Sequence, residues 1–207
     1  MVKKPTINRT RQRYDRLAPF YDLFESVMET WRFASWRARL TESIRGPRAL
    51  EAGVGTGKNI RFYPEGVDIT GIDFSHRMLR RARRRAEKTG LEMVLTEMDV
   101  QQLDFPDQSF DTVFATFVFC SVPDPVQGLM ELRRICKPDG RLLLLEHMRP
   151  DNHFLGRLFD FLAPLVVRIT GANINRNTMG NIRRAGWNIE IEEHLSGDIV
   201  RWIEARP

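Results

Sequence analysis

Short apolar runs alternate with amphipathic stretches through the middle of the chain. Ala49–Glu51, Val67–Ile72, Leu91–Met98, Phe110–Phe119 and Arg141–Leu145 read as strands, the last almost all leucine, as a strand buried on both faces should be. Between them, Lys58–Tyr63 opens a helix, and Ser75–Lys88 and Pro123–Cys136 read as full helices. Arg9–Thr30, with a break at Pro19, and Trp31–Ile44, stopped by Gly46-Pro47, precede the alternation. After it, Asn152–Thr170 repeats apolar residues at helical spacing and is predicted to kink at Pro164. A short helix over Asn177–Ala185 and an antiparallel pair, Asn188–Leu195 with Asp198–Glu204, close the chain. Five βα units in series predict an α/β fold with a mostly parallel, doubly wound sheet of seven strands, helices on both faces and an N-terminal helical cap. The 207 residues suit one domain, with residues 1–46 as the cap and 151–178 as a helical insertion.

The first strand ends in Glu51-Ala52, followed by Gly53, Gly55 and Gly57 at alternate positions. Glycine permits positive φ and presents no Cβ, so a ligand can lie against the main chain where strand turns into helix. The spacing is not that of a dinucleotide fingerprint, which needs a third glycine where this chain has Lys58, and a nicotinamide reductase is disfavoured on that ground. Asp73 stands 22 residues after Glu51, at the tip of the second strand, where a carboxylate can accept from both ribose hydroxyls. Asp73 could instead cap the next helix, although Ser75 is available for that.

The E-x-G-x-G-x-G pattern resembles the first motif of class I methyltransferases, which bind S-adenosylmethionine (SAM). Two further strings carry the same resemblance. Tyr14-Asp15-Arg16-Leu17-Ala18-Pro19-Phe20-Tyr21-Asp22 is similar to the opening of methyltransferases acting on quinones and phospholipids, and Leu103–Asp111 is similar to their L-P-F-x-D-x-S-F-D region. The resemblance implies a Rossmann-like class I methyltransferase fold. It implies that Glu51, Ala52, Gly53, Gly55 and Gly57 receive the methionine half of the cofactor, with Tyr14 and Tyr21 over the site. Asp73 would hold the ribose and Asp99 and Val100 the adenine, with Phe74, Met78, Thr116 and Phe117 also binding the cofactor. Asp111 enters its strand far from that end and reads as structural.

Charge narrows the setting. The net charge of +5 is concentrated in two blocks. Residues 1–16 hold six basic side chains against Asp15, and 77–88 hold seven against Glu87, so the remainder is acidic. Such blocks suit an anionic membrane surface, while the second fits a solvated helix face equally well. Nothing resembles a nucleic-acid motif. The charged amino-terminal stretch lacks the apolar core of a secretory signal, and the apolar run Phe161–Val167 is too short to span a bilayer. Cys120 and Cys136 lack metal-site spacing and read as reduced thiols, and no metal is assigned. The expected location is the cytoplasm, peripherally attached to the inner face of the membrane.

The acceptor is read from the ends of the later strands. Where many amine methyltransferases carry an acidic or N-P-P-Y site, this chain has Phe119-Cys120-Ser121-Val122, which suits an apolar or weakly polar acceptor. Glu146-His147 is the one acid–base pair at a strand tip, with His147 suited to proton transfer near neutrality or, equally, to packing. Tyr14 and Tyr21 could contact the methyl group. The resemblance points first to bacterial phospholipid N-methyltransferases, carrying phosphatidylethanolamine towards phosphatidylcholine with S-adenosylhomocysteine as product. A quinone C-methyltransferase, a small-molecule thiol S-methyltransferase and a non-catalytic SAM sensor at a membrane remain open at this point.

Overall fold

The computed structural model describes residues 31–170 and 173–207. The predicted helix Arg9–Thr30, with Tyr14 and Tyr21, lies outside the described residues, as do residues 171 and 172. The described elements are α1 (Trp31–Glu42), β1 (Arg48–Ala52), β2 (Asp68–Asp73), α2 (His76–Thr89), β3 (Val94–Glu97), β4 (Phe110–Thr116), α3 (Pro125–Ile135), β5 (Cys136–His147), α4 (His153–Thr170), α5 (Thr178–Arg184), β6 (Asn188–Ser196) and β7 (Val200–Arg206).

Seven strands form one sheet in the order β3-β2-β1-β4-β5-β7-β6. The first five are parallel, and β7 runs antiparallel between β5 and β6. The order reverses beside β1, so the crevice at the carboxyl ends of β1 and β4 is the switch point where ligands bind in such sheets. Apolar layers cover both faces. Leu50, Ile72, Val113, Leu142 and Leu144 pack towards α3 and α5, and Leu143, Leu145 and Phe114 pack with Leu40 of α1 and Trp202.

Local chemistry explains most boundaries. Ser75 caps α2 by accepting from the Met78 N–H at 3.2 Å, and Gly90 ends it in the left-handed region at φ 68°. Asp124 caps α3, and Asn152 accepts from the N–H groups of Phe154 and Leu155 at the start of α4. On α2, Met78, Leu79, Ala82 and Ala86 face the core at helical spacing. Arg77, Arg80, Arg83 and Arg84 face outward. Asp111 is structural as expected, accepting from the Arg48 N–H at 3.0 Å and pairing with Lys137.

Three expectations are corrected. Lys58–Tyr63 does not open a helix: only a single 3-10 turn, Ile60–Phe62, forms before Pro64. The fourth strand stops at Thr116 because Phe117 takes φ 58°, a left-handed conformation that breaks the ladder. The fifth strand begins not at Arg141 but at Cys136, with an irregularity over Lys137–Gly140 where the pairing steps from Phe110–Cys136 to Thr112–Arg141.

Candidate active site

The carboxyl ends of β1, β2 and β4 open on one crevice. Its walls include Gly53, Gly55, Asp73, Phe74, Met78, Asp99, Val100, Thr116 and Phe117, nine of the residues expected to hold a cofactor. They come from four separate stretches of sequence, brought together by the parallel register of the strands.

The glycine loop has a distinct use for each glycine. Gly53 (φ 68°) sits so close to Val118 that an added Cβ would fall 2.5 Å from its methyl group. Gly57 (φ 81°) is equally tight against Ile60 and Ala82. Gly55 differs: an added Cβ would meet only the Gly53 carbonyl, at 3.9 Å, so its main chain faces open crevice. Gly57 itself packs under the loop rather than lining the crevice. Asp73 fixes the loop from the next strand, accepting from the Gly55 N–H at 2.9 Å and from the Ser75 N–H at 2.8 Å. Two lone pairs per carboxylate oxygen leave it capacity for further hydroxyl donors. Asp99 accepts from the Gln101 main chain and side chain at 3.0 Å, an arrangement that closes the turn after β3.

Glu51 and Ala52 do not line the crevice. Glu51 is 1% exposed, and its two oxygens accept from Asn59 Nδ2 at 2.7 Å and from the Tyr63 hydroxyl. Burial pushes its carboxyl up to about 7, against the hydrogen bonds from Tyr63 and Asn59 and the nearby Arg37 charge. Glu51 thus braces the loop from beneath, through Asn59 and Tyr63.

Arg37 is the crevice residue that sequence reasoning missed. It stands on α1, donates to Asn59 Oδ1 at 3.0 Å and Thr116 Oγ1 at 2.8 Å, and lies over the Phe117 ring. Asn59 also donates to Thr116 Oγ1, so Arg37, Asn59, Glu51 and Thr116 form one buried network across the base of the site. No local pattern marks an arginine in a capping helix as inward-facing. Gln101 also lines the crevice unannounced, while Ser121, within the stretch read as facing the acceptor, lines it too.

Glu146 and His147 stand behind the crevice wall rather than in it. Glu146 is fully buried, and its Oε1 accepts from the N–H groups of Val118 (2.8 Å) and Phe119 (3.0 Å). Burial raises its carboxyl to about 7, opposed by those main-chain bonds. It clamps the loop after β4 and is not presented to a substrate. His147 stacks on Phe117, ring centroids 4.5 Å apart, with Phe33 edge-on to Phe117. Burial, then the Arg37 charge, lowers its pKa to about 4. It is neutral at physiological pH and a weak base, so the expectation of proton transfer near neutrality gives way to packing. Cys120 and Cys136 are unpaired, and burial pushes both thiols up to about 12, outside nucleophilic use. Asp151, His194 and Asp198 come within metal-ligand range of one another on the surface, but Asp151 already pairs with Arg201 and His194 with Asp198.

The donor set fits SAM. Bare main chain at Gly55, the carboxylates of Asp73 and Asp99, the cations of Arg37 and Lys58, and an apolar floor of Ile72, Met78 and Val100 match a ligand with a sugar, an aromatic base and a zwitterionic tail.

Comparison with known proteins agrees with this reading. A methyltransferase-domain family profile matches residues 50–144. A phosphatidylethanolamine N-methyltransferase of Cereibacter sphaeroides is 41% identical over 148 residues, covering 70% of this chain and 71% of the relative. A demethylmenaquinone methyltransferase of Thermus thermophilus is 34% identical over 170 residues, 79% of this chain and 77% of the relative. Among solved structures, the [4+2]-cyclase SpnF superposes with a TM-score of 0.80 at 21% identity, covering 98% of this chain and 96% of that one. A SAM-dependent methyltransferase from Thermotoga maritima gives 0.68 at 22% identity, covering 94% and 98%. These structural likenesses concern the fold, which hosts more than one chemistry. Sequence kinship adds the rest: the chain belongs to the class I SAM-dependent methyltransferases, in the family of the bacterial phospholipid and quinone enzymes, and SAM is its cofactor.

Proposed function

We propose that the protein transfers methyl groups from SAM to the amine of phosphatidylethanolamine and its methylated intermediates, towards phosphatidylcholine, while attached peripherally to an anionic membrane surface. The observation that carries this reading is the outer face of α4. Phe154, Leu155, Leu158, Phe161, Leu162 and Leu165 follow one helical stripe and are all exposed, Phe154 at 79% and Phe161 at 81%. Arg157 and Arg168 flank the stripe. A helix with this distribution suits the boundary between head groups and acyl chains. No described helix is long and apolar enough to cross a membrane. The loop after α4 touches the acceptor side, where the Asn173 N–H donates to the Cys120 carbonyl at 2.8 Å. The name of the Cereibacter relative supports the same acceptor.

SAM supplies a methyl group already activated by its sulfonium. The chain's task is then to orient and to exclude water. In this reading the Gly55 main chain and Arg37 receive the amino-acid tail, Asp73 the ribose hydroxyls, and the turn Asp99–Gln101 the adenine. Phe117, Ser121 and Val122 wall the methyl side. An ammonium brought against such a wall has its pKa lowered by desolvation, so it gives its proton to water and attacks as the free amine. No strong base is required of His147.

A second reading, quinone C-methylation, is favoured by the aromatic stack of Phe117, His147 and Phe33, against which a quinol ring could lie, and by the Thermus relative. Purified protein incubated with labelled SAM and phosphatidylethanolamine vesicles should yield mono-, di- and trimethylated lipid by mass spectrometry. Unmethylated lipid together with a methylated demethylmenaquinol would replace the first reading by the second.

A further inference from the structure

A second, polar cleft of about 420 Å³ lies beyond the carboxyl end of β5, lined by residues from the strand end, α5 and the closing antiparallel pair. Its charges are Arg149, Arg176, Arg183 and Arg201 against only Asp151 and Glu192. Both carboxylates are engaged by one cation: Arg201 donates to Asp151 Oδ2 at 2.6 Å and to Glu192 Oε1. Arg149 pairs with Asp160 outside the cleft, at 3.0 Å, so the excess of positive charge rests on Arg176 and Arg183.

Arg176 is the strongest case. It is partly buried, makes no ion pair with a carboxylate among the described residues, and uses its Nη2 on the carbonyls of Val122 (2.9 Å) and Cys120 (3.3 Å). Its Nε and the Thr178 hydroxyl are buried without a partner. Desolvation lowers its pKa, against the attraction of the buried Glu146 and of Asp124, neither of which hydrogen-bonds to it. Buried donors in surplus call for a ligand rich in acceptor oxygens, and guanidinium groups pair best with planar or tetrahedral oxyanions.

The position is informative. Val122 lines the cofactor crevice, and its carbonyl is held by Arg176 from the other side, so one loop, Cys120–Val122, separates crevice and cleft. Arg149 and Asp151 immediately precede α4, so the cleft sits at the root of the exposed apolar stripe.

We propose that this cleft binds a phosphate group, with Arg176, Arg183 and Thr178 as its donors. Resting on the phospholipid reading, the phosphate is that of the acceptor's head group, seated in the cleft while the amine reaches past Cys120–Val122 and the acyl chains lie along α4. Arg176 and Arg183 are then residues that select phosphate-bearing acceptors.

Binding can be measured without methyl transfer, which separates this inference from the choice of acceptor. The full chain, saturated with S-adenosylhomocysteine, is titrated by calorimetry with inorganic phosphate and with dihexanoyl phosphatidylethanolamine below its micelle concentration. The wild type should bind both, and Arg176→Gln should weaken both about tenfold or more, the loss of a charged hydrogen bond, with affinity for S-adenosylhomocysteine unchanged. Binding of inorganic phosphate alone, with the same sensitivity, supports the cleft as a site for soluble phosphate and removes the lipid assignment. If Arg176→Gln fails to fold, the exposed Arg183→Gln takes its place, with a several-fold loss expected. Absence of binding by the wild type, or variants that bind as tightly as it does, overturns the proposal.

Discussion

Asp73 Oδ2 accepts the Gly55 N–H at 2.9 Å, so the tip of β2 holds the ligand loop of β1 in shape. The same carboxylate holds the Ser75 N–H through its other oxygen. Replacing one oxygen by an amide sets a donor against a donor at one of the two sites. Asp73→Asn is expected to weaken S-adenosylhomocysteine binding by about tenfold to a hundredfold, the worth of one or two charged hydrogen bonds. Calorimetry on the variant checks this, with the melting temperature as the control for folding.

Gly53 is constrained twice, by φ 68° and by Val118 at its side. Gly53→Ala should reduce both stability and cofactor affinity, with about 1–3 kcal/mol lost to backbone strain and overpacking. Adding Val118→Ala should restore part of the stability by removing the clash, and leave the share due to φ. Full recovery in a denaturant titration would mean the backbone angle costs nothing.

Glu146 carries a carboxyl raised from 4.5 to about 7, with Oε1 used and Oε2 buried without a partner. The folded state holds its proton more tightly than the unfolded state. That contribution is complete below about 4.5 and disappears as pH rises through about 7, a difference on the order of 2–3 kcal/mol. Glu146→Gln keeps an oxygen for Val118 and Phe119 and has no charge to bury. It should fold, and should be more stable than the wild type at pH 8 relative to pH 5. Glu146→Ala should instead destabilise at every pH by freeing both N–H groups. Denaturant midpoints across pH 5–8 distinguish the two.

His147 has the opposite sign. Its pKa is lowered from 6.5 to about 4, so between those values the unfolded state binds the proton and the native state does not. Stability tied to this group falls as pH drops from about 6.5 to about 4, by roughly 2–3 kcal/mol. His147→Phe keeps a ring against Phe117 and should gain on the wild type by that amount between pH 7 and pH 4. If methyl transfer also persists in this variant at pH 7.5, the histidine is not the proton acceptor.

Phe154 and Phe161 are exposed on α4 and support no core packing. Phe154→Ser with Phe161→Ser should leave the melting temperature and S-adenosylhomocysteine affinity unchanged. Each ring removed from a lipid interface forfeits about 1.5–3 kcal/mol, so co-sedimentation with phosphatidylglycerol vesicles should fall at least tenfold. Unaltered sedimentation would remove α4 from the membrane reading.

The features readable in the sequence are those set by local pattern. Period and turn residues marked the parallel strands, and the spacing Gly53-Gly55 with Asp73 marked the switch point. Ser75 as the helix cap left Asp73 for the crevice, as its position suggested. What escaped reading depends on partners distant in sequence. Glu51 and Glu146 look like strand-tip acids, yet Asn59 with Tyr63 in one case and two loop N–H groups in the other draw them inward. Arg37 enters the site because α1 packs against β5 and the turn at Ile60–Phe62, contacts that no local period encodes. The step in β5 at Lys137–Gly140 is fixed by the Lys137–Asp111 pair, a contact with a neighbouring strand.

The place of β7 inside the sheet has a consequence for biosynthesis. β6 is made before β7 but has no neighbour in the sheet until β7 arrives between it and β5. During translation the leucine-rich border of β5 stands open while some fifty residues emerge, and only Val200–Arg206 can close it. A ribosome stalled within β6 would therefore display a bare hydrogen-bonding edge, a substrate for chaperones or for self-association rather than a nearly finished enzyme.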